Sequence, residues 1–168
     1  MSTKSDYTDE EWATLLRAPI VAGMAISIAD PGGPIEISKE LIATIGAATA
    51  PQSQDPLVTA VSQEIAALAE DRKNPAGDFK PRGPAPGDQV LDEMRRVHEI
   101  LVAKATPDEA KAFGTWLMTV AQETANREKE GGFLGIGGEQ VSDREREMLS
   151  RLATALGMES GLQGMSEQ

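Results

Sequence analysis

The chain contains no cysteine. Disulfides, thiolate metal sites and a cysteine nucleophile are therefore excluded. It has one histidine, His98, so a multi-histidine metal centre cannot form within one copy, and a Ser-His-Asp triad would have to use that residue. Aromatic side chains make up 4% of the residues, too few for a platform that stacks single-stranded bases. Basic side chains are also in short supply. Sixteen Lys and Arg face 27 Asp and Glu, for a net charge of −11. That balance argues against a nucleic-acid surface and against attraction to anionic lipid, and it admits a cation or a basic partner. Long apolar runs are missing as well. The best stretch, Ala18 to Ala29, is shorter than the roughly 20 residues a membrane span needs. It follows Asp6, Asp9, Glu10 and Glu11 rather than the basic start of a secretory signal. The expectation is a soluble, cytoplasmic protein with neither nucleic acid nor membrane as partner.

What is present suffices for a core. Hydrophobic residues are 40% of the chain, and its 168 residues fit one domain. Almost no segment alternates with period two. Apolar residues recur at three and four, the helical spacing. Three Ser/Thr-x-x-Glu sequences, at Thr8, Thr106 and Ser142, have the form of capping boxes, and each precedes a periodic apolar run. The pattern predicts helices over Asp9 to Ala29 with Pro19 inside, Ser38 to Ala48, Asp55 to Glu70, Asp88 to Lys104, Pro107 to Glu128 and Asp143 to Leu156. Residues 73–87 carry four prolines and three glycines and read as a linker or draped loop, pinned by Phe79. Gly157 is a natural residue to end the last helix, and 158–168 reads as a flexible tail. The expected architecture is a single all-α domain, residues 1–168, of about six helices in two three-helix halves. In each half a Thr-capped long helix is followed by a glycine-containing loop and a Ser-capped short helix.

The two loop-to-helix units read Ala29-Asp30-Pro31-Gly32-Gly33-Pro34-Ile35-Glu36-Ile37-Ser38-Lys39-Glu40 and Gly137-Gly138-Glu139-Gln140-Val141-Ser142-Asp143-Arg144-Glu145. They resemble the family of the tellurite-resistance protein TerB. In that family a helix ends in Ala-Asp-Gly, a short acidic loop follows, and a hydrophobic residue, Ser or Thr, and Glu open the next helix. The second unit has Gly137 where the family has Asp, and the first carries extra prolines. The resemblance covers about a third of the chain. It implies an all-α bundle, a bacterial cytoplasmic setting, a link to stress response and metal binding through acidic loop residues.

Asp30, Glu36 and Glu40, and separately Glu139, Asp143 and Glu145, are the candidate ligands for a divalent cation, since hard cations take oxygen ligands. Neither set has the EF-hand spacing, and acids at helix starts also serve the helix dipole. The Gly132-x-x-Gly135-x-Gly137 rhythm is neither a Walker loop nor a dinucleotide fingerprint, and a helix precedes it where both would need a strand. Its apolar residues, Phe133, Leu134 and Ile136, either tuck onto the bundle or dock a protein partner. His98 reads as a boundary residue beside the apolar stripe of its helix, Glu93, Glu99 and Glu123 as solvated, and Trp12 and Trp116 as core anchors. The leading function is a non-enzymatic binding module for a protein partner or divalent cation. The alternatives are a structural subunit that self-associates, and an enzyme using Asp30, Glu40 or His98. No catalytic residue is assigned.

Overall fold

The computed structural model describes residues 1–29, 44–130 and 142–158, without the side chains of 127–130. Every regular element among them is helical. A 3-10 turn, Lys4–Asp6, leads into α1 (Asp9–Ala29). Residues 44–49 form α2, followed by α3 (Pro56–Glu70), α4 (Pro86–Lys104), α5 (Pro107–Glu130) and α6 (Asp143–Ala155). The second expected helix is seen only over 44–49, its start lying outside the described residues.

The local signals that set these boundaries are met. At Thr8 the Glu11 backbone N–H donates to the hydroxyl at 3.2 Å, and Glu11 Oε2 accepts from the Thr8 N–H at 2.7 Å. Thr106 and Glu109 exchange the same pair of bonds, as do Ser142 and Glu145. Each box satisfies two N–H groups that a helix start would otherwise leave open. Asp55 caps α3 through the N–H groups of Leu57 and Val58. α4 begins at Pro86, two residues before the expected start. Pro at the first helical position needs no N–H partner and has a helical φ already. Pro86 and Gly87 therefore belong to the helix rather than to the linker.

α1 is the centre of the bundle. It packs most extensively against α4 and α5 and also meets α3 and α6. Leu15, Ile20, Val21 and Ile26 are sealed from solvent against Val58, Val61 and Ile65 of α3, Met94 and Val97 of α4, Phe113 and Leu117 of α5 and Leu152 of α6. α1 is long and apolar enough to cross a bilayer, yet 67% of its most apolar window is buried inside the molecule. A core helix passes that composition test because it is covered on nearly all sides. The helix continues through Pro19. At Gly23 it comes so close to α2 that an added Cβ would lie 2.4 Å from Thr44 Cγ2. There the Thr44 hydroxyl lies 3.3 Å from that of Thr124, whose own proton goes to the Val120 carbonyl. Thr44 is therefore the donor to Thr124, and α1, α2 and α5 meet around one buried hydroxyl pair. Trp12 and Trp116 are both core residues, as expected.

The Pro/Gly stretch is draped over the body. Pro75 and Ala76 are buried and Phe79 is half-buried against the core. The Asn74 side chain accepts from the Ala76 N–H. At the far end the Arg82 N–H donates to Gln89 Oε1, and the Gln89 amide donates back to the Arg82 carbonyl. Beneath Phe79 lies Arg17 of α1, its guanidinium 6.0 Å from the ring centre. Arg17 donates to Glu93 of α4 and, at 3.1 Å, to Thr14 Oγ1. Glu93 is 8% exposed, which overturns its reading as a solvated residue. Its charge is kept inside because Arg17 from the neighbouring helix pairs with it.

Two helix ends use the same closing turn with different residues. After α6 the Met158 N–H donates to the Ala153 carbonyl and the Gly157 N–H to Thr154, with Gly157 at φ +70°. After α3 the Lys73 N–H donates to Leu68 and the Arg72 N–H to Ala69, with Arg72 at φ +57°. Glycine adopts that conformation freely, and a residue with a Cβ pays on the order of 1 kcal/mol for it.

The N-terminal arm is tied to three helices. Lys4 pairs with Glu64 of α3, Lys104 of α4 donates to the Asp6 carbonyl and to Glu11, and the Ser2 N–H donates to Glu109 Oε1 of α5 at 2.7 Å. Burial alone would raise the Glu109 pKa, but hydrogen bonds from Thr106 and Ser2 outweigh it and hold the carboxyl below its ordinary value. Glu11 is lowered by Lys104 and the Thr8 N–H, and Asp6 by the Thr3 N–H. A depressed folded pKa gives stability that is present above the unfolded value and lost as pH falls through the folded one. The melting temperature should therefore drop as pH falls below about 4.3, and Glu109→Gln should flatten that slope. Tyr7 is shifted upward, mainly by burial, so its contribution is lost as pH rises above about 10. Thermal melts across both limbs check the pair of signs.

Candidate binding groove

α5 presents two faces. Phe113, Leu117, Val120 and Ala121 enter the core, with Trp116 at their edge and packed at right angles to Phe113. A second stripe, Asp108, Lys111, Ala112, Thr115, Thr119 and Glu123, recurs at the same three-and-four spacing and faces a groove of about 410 Å³. The opposite wall is Ala47 at the end of α2 and the connection Ala50-Pro51-Gln52-Ser53 that leads to the Asp55 cap. Pro51 and the cap fix the course of this connection, which is why a wall forms here. The floor is small and apolar, and the rim carries both signs of charge. Among the described residues the side chains of Asp108, Lys111 and Glu123 make no ion pair or hydrogen bond. The Trp116 indole N–H is buried with no partner among the described residues, a cost of about 1–3 kcal/mol. Trp12, by contrast, donates to Glu64 at 3.0 Å.

Of the residues named from the sequence as cation ligands, two are described. Glu145 is buried, and its Oε2 accepts the Ser142 N–H at 2.6 Å, so this carboxylate serves the cap. The Asp143 side chain is almost fully exposed and pairs with Arg146 at 3.1 Å, one turn along α6. The two acids are thus engaged separately, and among the described residues no group of three or more His, Asp or Glu could hold a metal ion. Asp30, Glu36, Glu40 and Glu139 lie outside the described residues, as do Phe133, Leu134 and Ile136. His98 is half-buried on α4 with its ring against Gly157, the boundary position its spacing predicted, and it does not line the groove. Sequence reading assigned Trp116 to the core and missed the stripe beside it. The 108–111–112–115–119–123 periodicity was the available signal. Comparison with protein-family models, with curated proteins and with solved structures finds no match for this chain.

Proposed function

We propose that the chain is a non-enzymatic helical binding module that takes a short segment of a protein partner into the groove along α5. The observation that carries this reading is the groove itself: an apolar floor edged by Trp116, with Asp108, Lys111 and Glu123 on the rim, whose side chains have no ionic partner among the described residues. Its size lies within the usual range for binding pockets. Charges of both signs suit a peptide, which brings amide groups and mixed side chains, better than they suit a single ion. The protein partner is favoured over a divalent cation because Glu145 is committed to its cap and Asp143 to Arg146. The TerB-like organisation in two three-helix halves, with its bacterial cytoplasmic setting and stress role, belongs to the same proposal. The helical arrangement alone draws support from the structure, through the hydroxyl–Glu boxes at Thr8, Thr106 and Ser142 and the packing of α1 on α4 and α5.

A displayed peptide library selected on the intact protein tests this. Thr115 is exposed on the groove wall, so Thr115→Arg should fill the groove without disturbing the core. Selected peptides are expected to lose about tenfold or more in affinity on that change, comparable to loss of a hot-spot contact, while the melting temperature is unchanged. Peptides indifferent to Thr115→Arg, or none selected, would sink the groove reading. A marked rise in melting temperature with millimolar Ca²⁺, Mg²⁺ or Mn²⁺ would return the cation to first place.

A further inference from the structure

The segment from Arg72 to Arg82 runs against the charge of the rest of the molecule. It carries Arg72, Lys73, Lys80 and Arg82, four of the chain's 16 basic side chains, and a single acid, Asp78. All four cations are exposed. Lys73 meets Asp71 at 3.1 Å, and the side chains of Arg72, Lys80 and Arg82 have no anionic partner among the described residues. Acidic side chains outnumber basic ones 27 to 16, and elsewhere Lys4, Arg17, Arg95, Arg96, Lys104, Arg146 and Arg151 have each found one, while among the described residues the side chains of Lys111 and Arg144, on two different helices, have not.

Two further observations bear on this strap. It is fixed, through Ala76 in the core, the Asn74 turn, Phe79 over Arg17 and the two-way bond between Arg82 and Gln89. Ordering these cations on binding therefore costs little backbone entropy. The second is Arg72. It holds a φ of +57° in a closing turn where α6 uses glycine, which sets a guanidinium at a position that glycine ordinarily takes.

We propose that this strap is a docking surface for an acidic peptide segment of a partner protein. The surrounding negative charge opposes extended polyanions such as a nucleic-acid duplex or an anionic membrane, whose charge continues beyond the strap. A short acidic segment can meet the strap and end. This surface is separate from the α5 groove and does not depend on it.

The test uses a fluorescein-labelled Asp/Glu-rich peptide in fluorescence polarisation against the full chain, at about 0.01 and 0.1 M salt, where screening lengths differ about threefold. Lys80→Glu/Arg82→Glu should weaken binding about tenfold or more at the lower salt. Arg144→Glu/Arg146→Glu on α6 changes net charge by the same amount and should weaken it less than about twofold, the effect of long-range charge alone. Equal losses in the two variants would overturn the proposal, as would no binding to the parent chain. Tighter capture of duplex DNA or phosphatidylserine vesicles through the same residues would also overturn it. Arg72→Gly is expected to melt no lower than the parent yet bind the peptide more weakly, and undiminished binding would remove Arg72 from the surface. Thr115→Arg should leave this binding intact, so failure here and failure of the groove reading are told apart.

Discussion

Glu93→Ala is expected to lower stability by about 3 kcal/mol, the lower end of the range for breaking a buried ion pair. The carboxylate is 8% exposed and faces Arg17, whose side chain retains 20% exposure. With Glu93 gone, the guanidinium keeps Thr14 and the Phe79 ring but loses its counter-charge while still largely desolvated. Its residual exposure lets it turn partly to water, which is why the upper end of the range is not expected. Most of the loss comes from the charge left behind, so removing both partners should restore stability. Arg17→Met/Glu93→Met is expected within about 1 kcal/mol of the parent, since a well-packed apolar pair often replaces a buried ion pair at no cost. Urea unfolding of the two single variants and the double variant measures this as a cycle. Additive single losses would mean that Arg17 and Glu93 act independently and that the ion pair between them carries no coupling.

How far the sequence could be read follows from the distance over which each feature is built. The boxes at Thr8, Thr106 and Ser142 join residues three apart, so residue type and spacing were enough, and the starts of α1, α5 and α6 followed from them. The Arg17–Glu93 pair joins residues 76 apart on two helices. From its own helix Glu93 looks like any acid beside an apolar stripe. The groove needs residues 47–53 laid beside α5, a placement set by tertiary packing of α2 and α3 that no local pattern encodes. Arg72 was illegible for another reason. The closing turn after α6 announces itself with Gly157, but the one after α3 is made by a residue type that ordinarily avoids that conformation, so propensity pointed away from it. Prolines misled by a similar route: four in fifteen residues read as a break throughout, yet Pro86 occupies the one helical position where proline is favoured.

Gly157→Ala should cost about 2–5 kcal/mol, from two sources that a second substitution separates. The first is backbone conformation: at φ +70° an alanine is strained by about 1–2 kcal/mol. The second is contact with α4. A Cβ built on Gly157 would lie 2.4 Å from His98 Cε1 and 2.8 Å from Nε2. The imidazole is a stiff, half-buried ring on α4 that faces the end of α6, so relief requires the ring or the helix end to move. Overpacking of that kind costs about 1–3 kcal/mol. His98→Ala empties the space, so Gly157→Ala in that background should cost only the backbone share, about 1–2 kcal/mol. A denaturant cycle over the parent, both single variants and the double variant gives the difference as a coupling energy. Equal costs of Gly157→Ala with and without His98 would show that the ring yields freely. His98 would then be a passive neighbour of the closing turn, and α6 would be held to the bundle by its core residues, Met148 and Leu152 among them, and by the Arg151–Asp88 pair. A coupling near the full overpacking cost would instead show that the chain's one histidine is held by packing, with glycine at 157 required for the room it leaves as well as for its φ.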